Sequence, residues 1–159
     1  MCLSTMAEEM AITKIYMDTC CYNRPFDDQS HEIVRLETEA KLIIQDRVKR
    51  GQYLLVWSFM LHSENMENLS LDKILSIAAW EDIAQEYCYA TNDLLDAAKK
   101  YMTKGLKHKD SIHLACAVKH GCNYLITTDR KFTNKNDSFQ EIEILNPMAF
   151  LLKEDCYAK

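Results

Sequence analysis

The sequence contains few of the residues that break or loosen a polypeptide chain. Its 159 residues include only 3 glycines and 2 prolines, which leaves little room for linkers or disordered segments. It has no internal repeat, no low-complexity segment and no apolar run near the roughly 18 residues of a membrane span. The length and the hydrophobic fraction of 48% therefore predict one globular domain with a sizeable core.

The first ten residues, MCLSTMAEEM, lack the basic start and the long apolar segment of a secretory signal. We expect residues 1–12 to form an N-terminal extension, with Met6 and Met10 as alternative start sites. The domain itself is then expected to span residues 13–159.

The cysteines do not form a zinc or disulfide pattern. There are seven, an odd number, and no CxxC pair occurs among them. Cys20 and Cys21 are adjacent, which disfavours a bridge between them. This usage indicates reduced, mostly buried thiols and a cytoplasmic location.

Two further absences narrow the function. Neither GxGxxG nor GxxxxGK[ST] is present, so nucleotide-binding folds have no support. The formal net charge of −5 argues against a generally basic surface that binds nucleic acids without regard to sequence. A nucleic acid bound through metal ions and a local basic patch is still compatible with that charge.

The three glycines mark the ends of predicted helices. Gly51, Gly105 and Gly121 each follow a helical pattern whose last turn carries a basic residue or a histidine. That is the usual place of a left-handed residue after a helix. The helices so marked are SHEIVRLETEAKLIIQDRVKR, NDLLDAAKKYMTK with Asn92 as its cap, and KDSIHLACAVKH.

The remaining pattern predicts strands that alternate with helices. The strands are KIYMD, YLLVW, NYLITT and EIEIL, with CYAT as a short additional strand. The further helices are FMLHSENMENL, LDKILSIAAWEDIAQEY and a closing NPMAFLLKE. Alternating strands and helices predict an α/β fold: three α/β/α layers around a mainly parallel central sheet.

Four acids are predicted to lie at one edge of this sheet. Asp18 ends the first strand, Asp129 follows NYLITT, Asp110 opens a helix, and Glu64 lies in the helix after YLLVW. In open parallel sheets, ligands bind beyond the carboxyl ends of the strands. Crowded carboxylates repel one another unless protons or cations neutralise them, and a hard divalent cation is the usual solution.

Each acid also has a structural interpretation. An aspartate after a strand is commonly a helix cap or a turn residue. Asp110 in the first turn of a helix is favoured by the helix dipole, and Glu64 and Glu67 fit a solvated helix face. The acids are informative together because all four are predicted at the same edge.

The motifs around these acids resemble those of the PIN-domain family. DTCCYNRPFDD resembles the family's first strand and loop, and WSFMLHSENMEN resembles the helix that supplies its glutamate. GLKHKDSIHLACAVKHGCNYLITTDRKF resembles its KD-A-L-H-L-A-A helix followed by G-x-D-x-L-x-T-x-D. The resemblance spans Lys14 to about Phe132 and keeps the order Asp, Glu, Asp, Asp. Ser111 replaces a frequent alanine, and Cys20 and Cys21 replace apolar residues or asparagine.

The resemblance implies a Mg²⁺- or Mn²⁺-dependent ribonuclease of the kind found as VapC-type toxins. Asp18, Glu64 and Asp110 are then the expected metal ligands, and Asp129 binds through water or orients the nucleophile. Glu67, about one turn further along the helix, is the alternative to Glu64. The family also implies an RNA substrate, an antitoxin partner and a homodimer.

Further residues are candidates for supporting roles. Thr19, Asn23 and Thr128 are expected to hold a carboxylate or a water, although Asn23 also fits a turn. The candidates for binding the RNA backbone are Arg24, Lys107, Lys109, Arg130 and Lys131. The lysines near residue 107 fit a solvated helix end equally well. His113, Trp57 and Trp80 are interpreted as structural.

Other functions fit less well. A phosphatase with an aspartyl nucleophile of the haloacid-dehalogenase type needs a second aspartate at position 20, where this chain has Cys20. A receiver domain pairs its acids around the first strand, and it does not predict Asp110 and Asp129. A PIN-like scaffold that binds RNA or a protein partner without cleavage is the non-enzymatic alternative.

Overall fold

The computed structural model describes residues 11–157, apart from the side chain of residue 157. The N-terminal extension expected for residues 1–12 therefore lies, except for its last two residues, outside the described residues, as do both alternative start sites. The domain boundary at residue 13 stays a prediction.

The centre of the fold is a five-stranded parallel sheet. The strands are β1 (Thr13–Met17), β2 (Tyr53–Ser58), β3 (Glu86–Cys88), β4 (Tyr124–Ile126) and β5 (Glu143–Leu145). They lie in the order β3-β2-β1-β4-β5, and every pair of neighbours is parallel. Ile15 of the central strand is opposite Leu55 on one side and Tyr124 on the other. The parallel sheet expected from the alternating pattern is confirmed.

Eight α-helices flank the sheet in the described part of the chain. They are α1 (Thr19–Asn23), α2 (Glu32–Lys49), α3 (Phe59–Met66), α4 (Leu71–Ile83), α5 (Asn92–Met102), α6 (His108–Lys119), α7 (Arg130–Thr133) and α8 (Pro147–Tyr157). Two short 3₁₀ turns, Arg24–Phe26 and Asn136–Ser138, complete the order.

The helices cover both faces of the sheet. Tyr53 and Tyr124 share the sheet face of Ile15, and the ring of Phe150 from α8 packs against both tyrosines. Tyr16 points to the opposite face, where its hydroxyl meets His113 of α6. Because Ile15 and Tyr16 are both fully buried, the central strand is enclosed on both sides. The structure is the three-layer α/β/α arrangement predicted above.

Several predicted elements are a few residues too long, and the helix predicted over residues 71–87 shows why. The apolar pattern of LDKILSIAAWEDIAQEY predicts a helix through residue 87, but α4 ends at Ile83 and Ala84 is already extended. Gln85 explains the difference, since its N–H donates to Leu55 O and its side chain accepts from Leu55 N. These bonds to β2 start β3 at Glu86, two residues before the predicted CYAT. Strand pairing supplied by the tertiary fold overrides the local helical pattern.

One predicted helix cap differs from the observed cap by one residue. The sequence predicts Asn92 as the cap of α5, but the cap is Thr91, whose hydroxyl accepts from Leu94 N at 3.2 Å. The three glycines all adopt positive φ angles, of 78°, 98° and 68°, which confirms their predicted left-handed positions.

The cysteines of the described residues are all free, and Cys21, Cys88, Cys116 and Cys122 are buried. The expectation of mostly buried thiols is confirmed for this part of the chain. Within residues 11–157, no helix is both long enough and apolar enough to cross a bilayer.

Candidate metal and nucleic-acid site

Asp18 and Asp129 meet at the carboxyl ends of two adjacent strands. Asp18 directly follows β1, and its N–H donates to Ile126 O of β4 at 2.9 Å. Thr127 joins the two acids: its hydroxyl donates to Asp18 Oδ2 at 2.9 Å and accepts from the N–H of Asp129 at 3.1 Å. The parallel register of β1 and β4 therefore brings together two acids that are far apart in sequence.

Both aspartates also cap helices. Asp18 Oδ1 accepts from Thr19 N at 2.7 Å at the start of α1, and Asp129 Oδ1 accepts from Lys131 N at 2.9 Å at the start of α7. Both aspartates are therefore helix caps, as their structural interpretation predicts, and both also lie at the edge of the sheet. Each carboxylate is oriented by the chain that follows it.

Glu64 lies beside the same edge and contacts His113. It is half-buried on α3, and its Oε1 is 2.5 Å from His113 Nε2. The same ring nitrogen lies 3.4 Å from Asp18 Oδ1. Burial alone would raise the pKa of Glu64, but the hydrogen bond and charge of His113, together with the charge of Lys109, hold the pKa below its ordinary value.

His113 is held from its other side by a buried hydroxyl pair. Tyr16 Oη is 2.6 Å from His113 Nδ1 and 2.7 Å from Ser58 Oγ. Ser58 in turn accepts from Leu61 N at 3.1 Å, which caps α3, the helix that carries Glu64. Burial would lower the pKa of His113, but Asp18, Glu64 and Asp110 raise it above its ordinary value. The acids therefore favour the protonated imidazole, and His113 contacts two of them as well as supporting the fold.

Asp110 is the acid with the least compensation. It lies in the first turn of α6 and is partly buried. Burial and the charges of Asp18 and Asp129 raise the pKa of its carboxyl to about 6. The charges of Asp18 and Asp129 therefore reach Asp110, and the charges of His113 and Lys107 offset this effect only in part.

The side chains as they stand do not form a ready cation cage. Among the described residues, no three histidine, cysteine, aspartate or glutamate side chains are arranged to hold a metal ion. The hydrogen bonds explain this, because Asp18 is engaged by Thr19 and Thr127 and Glu64 is engaged by His113. The donor chemistry nevertheless fits a hard divalent cation, since all four acids offer carboxylate oxygens.

The supporting residues differ in detail from the sequence-based candidates. Thr19 does contact Asp18, through its backbone N–H. Thr128 donates its N–H to Cys20 Sγ at 3.3 Å, and the hydroxyl that binds Asp18 belongs to its neighbour Thr127. Asn23 closes α1, and its buried Oδ1 has no hydrogen-bond partner among the described residues.

The basic candidates divide into engaged and available side chains. Arg24 binds Glu37 at 2.8 Å and Asp27 at 3.0 Å, and Lys109 pairs with Glu67 at 3.6 Å. Arg130 is exposed at the start of α7. Lys107 and Lys131 line a pocket of about 300 Å³ together with Asp110. Lys135 also lines this pocket and was missed from the sequence.

Thr127 is absent from the sequence-based candidates for this site, and His113 is among them only as a structural residue. His113 follows Asp110 by one helical turn, so its position on the same face as a suspected ligand was the available signal. Thr127 could not be identified from the sequence, because the register of β1 and β4 is not known from it. The pairing of Met17 with Ile126 places Thr127 next to Asp18.

Comparison with solved structures supports the fold. A chain in the crystal structure of VapBC2 from Rickettsia felis, bound to a DNA fragment from their promoter, matches with a TM-score of 0.53. The match covers 84% of this protein and 98% of that chain at 10% sequence identity. No protein-family model matches the sequence, and no curated protein matches it. At this identity the similarity concerns the fold alone, and that fold is the three-layer, PIN-like α/β/α domain.

Proposed function

We propose that this protein is a divalent-metal-dependent endoribonuclease, and that it acts as the toxin of a type II toxin–antitoxin pair. The observation that carries the proposal is the joining of Asp18 and Asp129 by Thr127 at the ends of β1 and β4, beside Asp110. The charges of these two aspartates, together with burial, raise the pKa of Asp110 to about 6. Strongly perturbed carboxyls at one cleft are typical of functional sites. The PIN-like fold and the order of the four acids support the same conclusion.

Asp18, Glu64 and Asp110 are the proposed ligands of Mg²⁺ or Mn²⁺, with Asp129 binding through water or orienting the nucleophile. When bound, such an ion polarises a phosphate and lowers the pKa of a coordinated water. The protein's own contribution is to orient the acids. Thr127 fixes one oxygen of Asp18, and His113 fixes Glu64. Tyr16 and Ser58 hold the imidazole in place from behind.

The pocket beside Asp110 is the proposed path of the RNA backbone. Its lining includes Lys107, Lys131 and Lys135, three cationic side chains around one acid. Lysines of this kind bind phosphates without reading the bases. Local positive charge therefore offsets the overall charge of −5 where the substrate would enter.

One observation favours the non-catalytic scaffold as a second candidate. The carboxylates of Asp18 and Glu64 are already satisfied by protein donors, and no three suitable side chains of the described region are gathered for an ion. A scaffold would keep these bonds in the presence of metal. A nuclease must exchange some of them for metal–oxygen bonds, so metal binding separates the two functions.

The decisive assay is cleavage of a mixed pool of structured RNAs with Mn²⁺ or Mg²⁺, against an EDTA control. Asp18→Asn is expected to lower cleavage about a hundredfold or more, because the loss of one ligand charge removes several kcal/mol of stabilisation. Glu64→Gln is expected to do the same. Glu67→Gln is the matched control on the same helix and should retain activity.

Calorimetric titration with Mn²⁺ accompanies the assay. Saturable binding that Asp18→Asn weakens, together with metal-dependent cleavage, establishes the nuclease. No binding and no cleavage by the folded wild type would reject it in favour of the scaffold.

The biological setting is proposed from the neighbour and from the cysteines. The neighbour is VapBC2, so an antitoxin partner is expected for this chain. The resemblance to PIN domains implies a homodimer, and the cysteines imply a reducing cytoplasm. Expression of the protein alone should arrest bacterial growth, and Asp18→Asn should relieve the arrest. Growth unaffected by an active enzyme would contradict the toxin role and leave the nuclease intact.

A further inference from the structure

A second pocket lies between α2, α4 and the turn that follows α1. Its volume is about 280 Å³, near the lower end of the range for small-molecule sites. It is lined by Tyr22, Pro25, Phe26, Lys41, Leu42, Gln45, Ser76, Ile77 and Trp80. None of the four acids of the proposed nuclease site belongs to this lining, and none of the lining residues is acidic.

Lys41 is a buried cation without a partner. Its residue is only 5% exposed, yet its ammonium makes no hydrogen bond or ion pair with any described residue. The nearest arrangement to a partner is the ring of Tyr22, whose centroid lies 5.8 Å from Lys41 Nζ. Buried charges are normally paired, so an unpaired ammonium that lines a cavity needs an explanation.

The obvious partner of Lys41 is bound elsewhere. Glu37 precedes Lys41 by one turn on α2, the spacing at which glutamate and lysine usually pair. Instead, Glu37 Oε1 accepts from Arg24 at 2.8 Å and Oε2 accepts from Asn146 at 2.7 Å. The negative charge next to Lys41 is thus neutralised by another cation. Burial lowers the pKa of Lys41 to about 8, so the ammonium form still predominates at neutral pH.

Two more polar groups in this lining have no partner. Gln45 lies one turn beyond Lys41 and is 4% exposed, and its Nε2 has no hydrogen bond within the described residues. The hydroxyl of Tyr22 is likewise buried and unsatisfied. An ammonium, an amide N–H₂ and a phenol all offer hydrogens, so the group that completes them is an acceptor.

The rim adds positive charge and apolar surface. Lys73 Nζ lies 5.6 Å from the ring centroid of Phe26, and Lys49 Nζ lies 5.1 Å from that of Trp80. Leu42 and Ile77 contribute further apolar wall. The pocket therefore attracts an anion at its entrance and offers it a single, largely buried cation and an apolar enclosure.

We propose that this pocket binds a small monocarboxylate, with its carboxylate at Lys41 and Gln45 and its apolar body against Phe26, Leu42 and Trp80. A single negative charge matches the single buried ammonium. A phosphate dianion would retain uncompensated charge among the apolar walls, which is unfavourable. The site is distinct from the proposed nuclease centre, so its occupancy does not depend on that function.

The test is the binding of benzoate to the full-length protein. Calorimetry measures the affinity, and NMR of the lysine and glutamine side chains locates the site. Benzoate is expected to bind saturably, to shift the signals of Lys41 and Gln45 and to raise the melting temperature. Benzamide, its neutral analogue, should bind with an affinity at least about tenfold lower, because it lacks the charge-assisted bond. The substitution Lys41→Met should lower the affinity for benzoate by a similar factor.

The control variant is Lys99→Met, which removes an exposed lysine from α5 and should leave benzoate binding unchanged. Lys41→Met is expected to fold, because methionine fills similar space without a buried charge, and circular dichroism verifies this. Equal binding of benzoate and benzamide, or unchanged binding by folded Lys41→Met, would overturn the proposal. So would the absence of saturable binding to the wild type, since water then completes the donors.

A third arm identifies the source of the carboxylate. A capped Leu-Glu-Leu peptide is compared with Leu-Gln-Leu. Binding of the glutamate peptide in place of benzoate would assign the pocket to the side chain of a protein partner and overturn the small-molecule assignment. Preference for benzoate supports it.

Discussion

Glu64 Oε1 lies 2.5 Å from His113 Nε2, although 49 positions separate the two residues in the sequence. The contact links α3 to α6 directly above the ends of β1 and β4. It also determines how the acid cluster is neutralised, because the same nitrogen of His113 lies 3.4 Å from Asp18. One imidazole therefore serves two of the four proposed metal ligands.

The stability that this pair contributes is lost both as pH rises and as pH falls. The pKa of His113 is raised, so its contribution is complete below its ordinary value of 6.5 and is lost as pH rises through the higher folded value. The pKa of Glu64 is lowered, so its contribution is present above its ordinary value of 4.5 and is lost as pH falls through the lower folded value. The coupling is thus largest between these two ordinary values.

The measurement is a double-mutant cycle of Glu64→Gln and His113→Gln, by urea unfolding in EDTA across this pH range. Each single variant is expected to lose about 2–3 kcal/mol near pH 5.5, because one buried partner is left unpaired. A coupling energy independent of pH would contradict the ion pair.

Asp110→Asn is expected to stabilise the fold while abolishing cleavage. The pKa of Asp110 is raised to about 6, so the folded protein binds this proton more tightly than the unfolded chain and loses stability as pH rises from 3.8 to about 6. Removal of the charge should add about 1 kcal/mol at pH 7, allowing for screening by solvent.

Thermal unfolding at pH 4 and pH 7 measures this gain, which should vanish at the lower pH. Asp93→Asn provides the control, since Asp93 also lies in the first turn of a helix and is exposed. It should be neutral or slightly destabilising, because it only loses a favourable interaction with the helix dipole. A destabilised Asp110→Asn would show that the aspartate is held by favourable contacts instead.

Tyr16→Phe and Tyr22→Phe are expected to differ although both tyrosines are buried. The hydroxyl of Tyr16 is bonded to Ser58 and His113, so its removal leaves His113 Nδ1 without a partner and takes one of the two hydrogen bonds of Ser58, at a cost of about 1–3 kcal/mol. The hydroxyl of Tyr22 has no partner in the described region, and its removal should be neutral or stabilising. Urea unfolding of the two variants at pH 7 compares them directly, and equal losses would argue against the Tyr16 network.

Lys41→Met is expected to be more stable than the wild type at neutral pH, and the difference should shrink in alkali. The pKa of Lys41 is lowered to about 8, so its charged form destabilises the fold below that pH. This penalty disappears as pH rises from about 8 toward the ordinary value of 10.5, because the unfolded chain then binds more protons than the folded one. The free energy of unfolding of both proteins between pH 7 and pH 10 checks this. A constant difference would mean that Lys41 is paired.

The sequence determined the order of the elements and the edge at which the acids lie. Periodicity is a local property, so α2, α6 and the strands around Ile15 and Leu55 follow from it. Left-handed glycines are local too, and all three adopt the predicted positive φ angles. A parallel sheet puts the carboxyl ends of its strands on one side, so residues that follow β1 and β4 had to be neighbours.

The tertiary structure decided which side chains meet. Because of the strand register, the hydroxyl that binds Asp18 belongs to Thr127 and not to Thr128. Pairing with β2 places Glu86 in a strand, where the sequence pattern predicts a helix. Packing of α6 against α3 set His113 between the acids. The approach of Arg24 and Asn146 took Glu37 away from Lys41. Such pairings depend on distances between elements that are remote along the chain, and a sequence pattern specifies the elements without those distances.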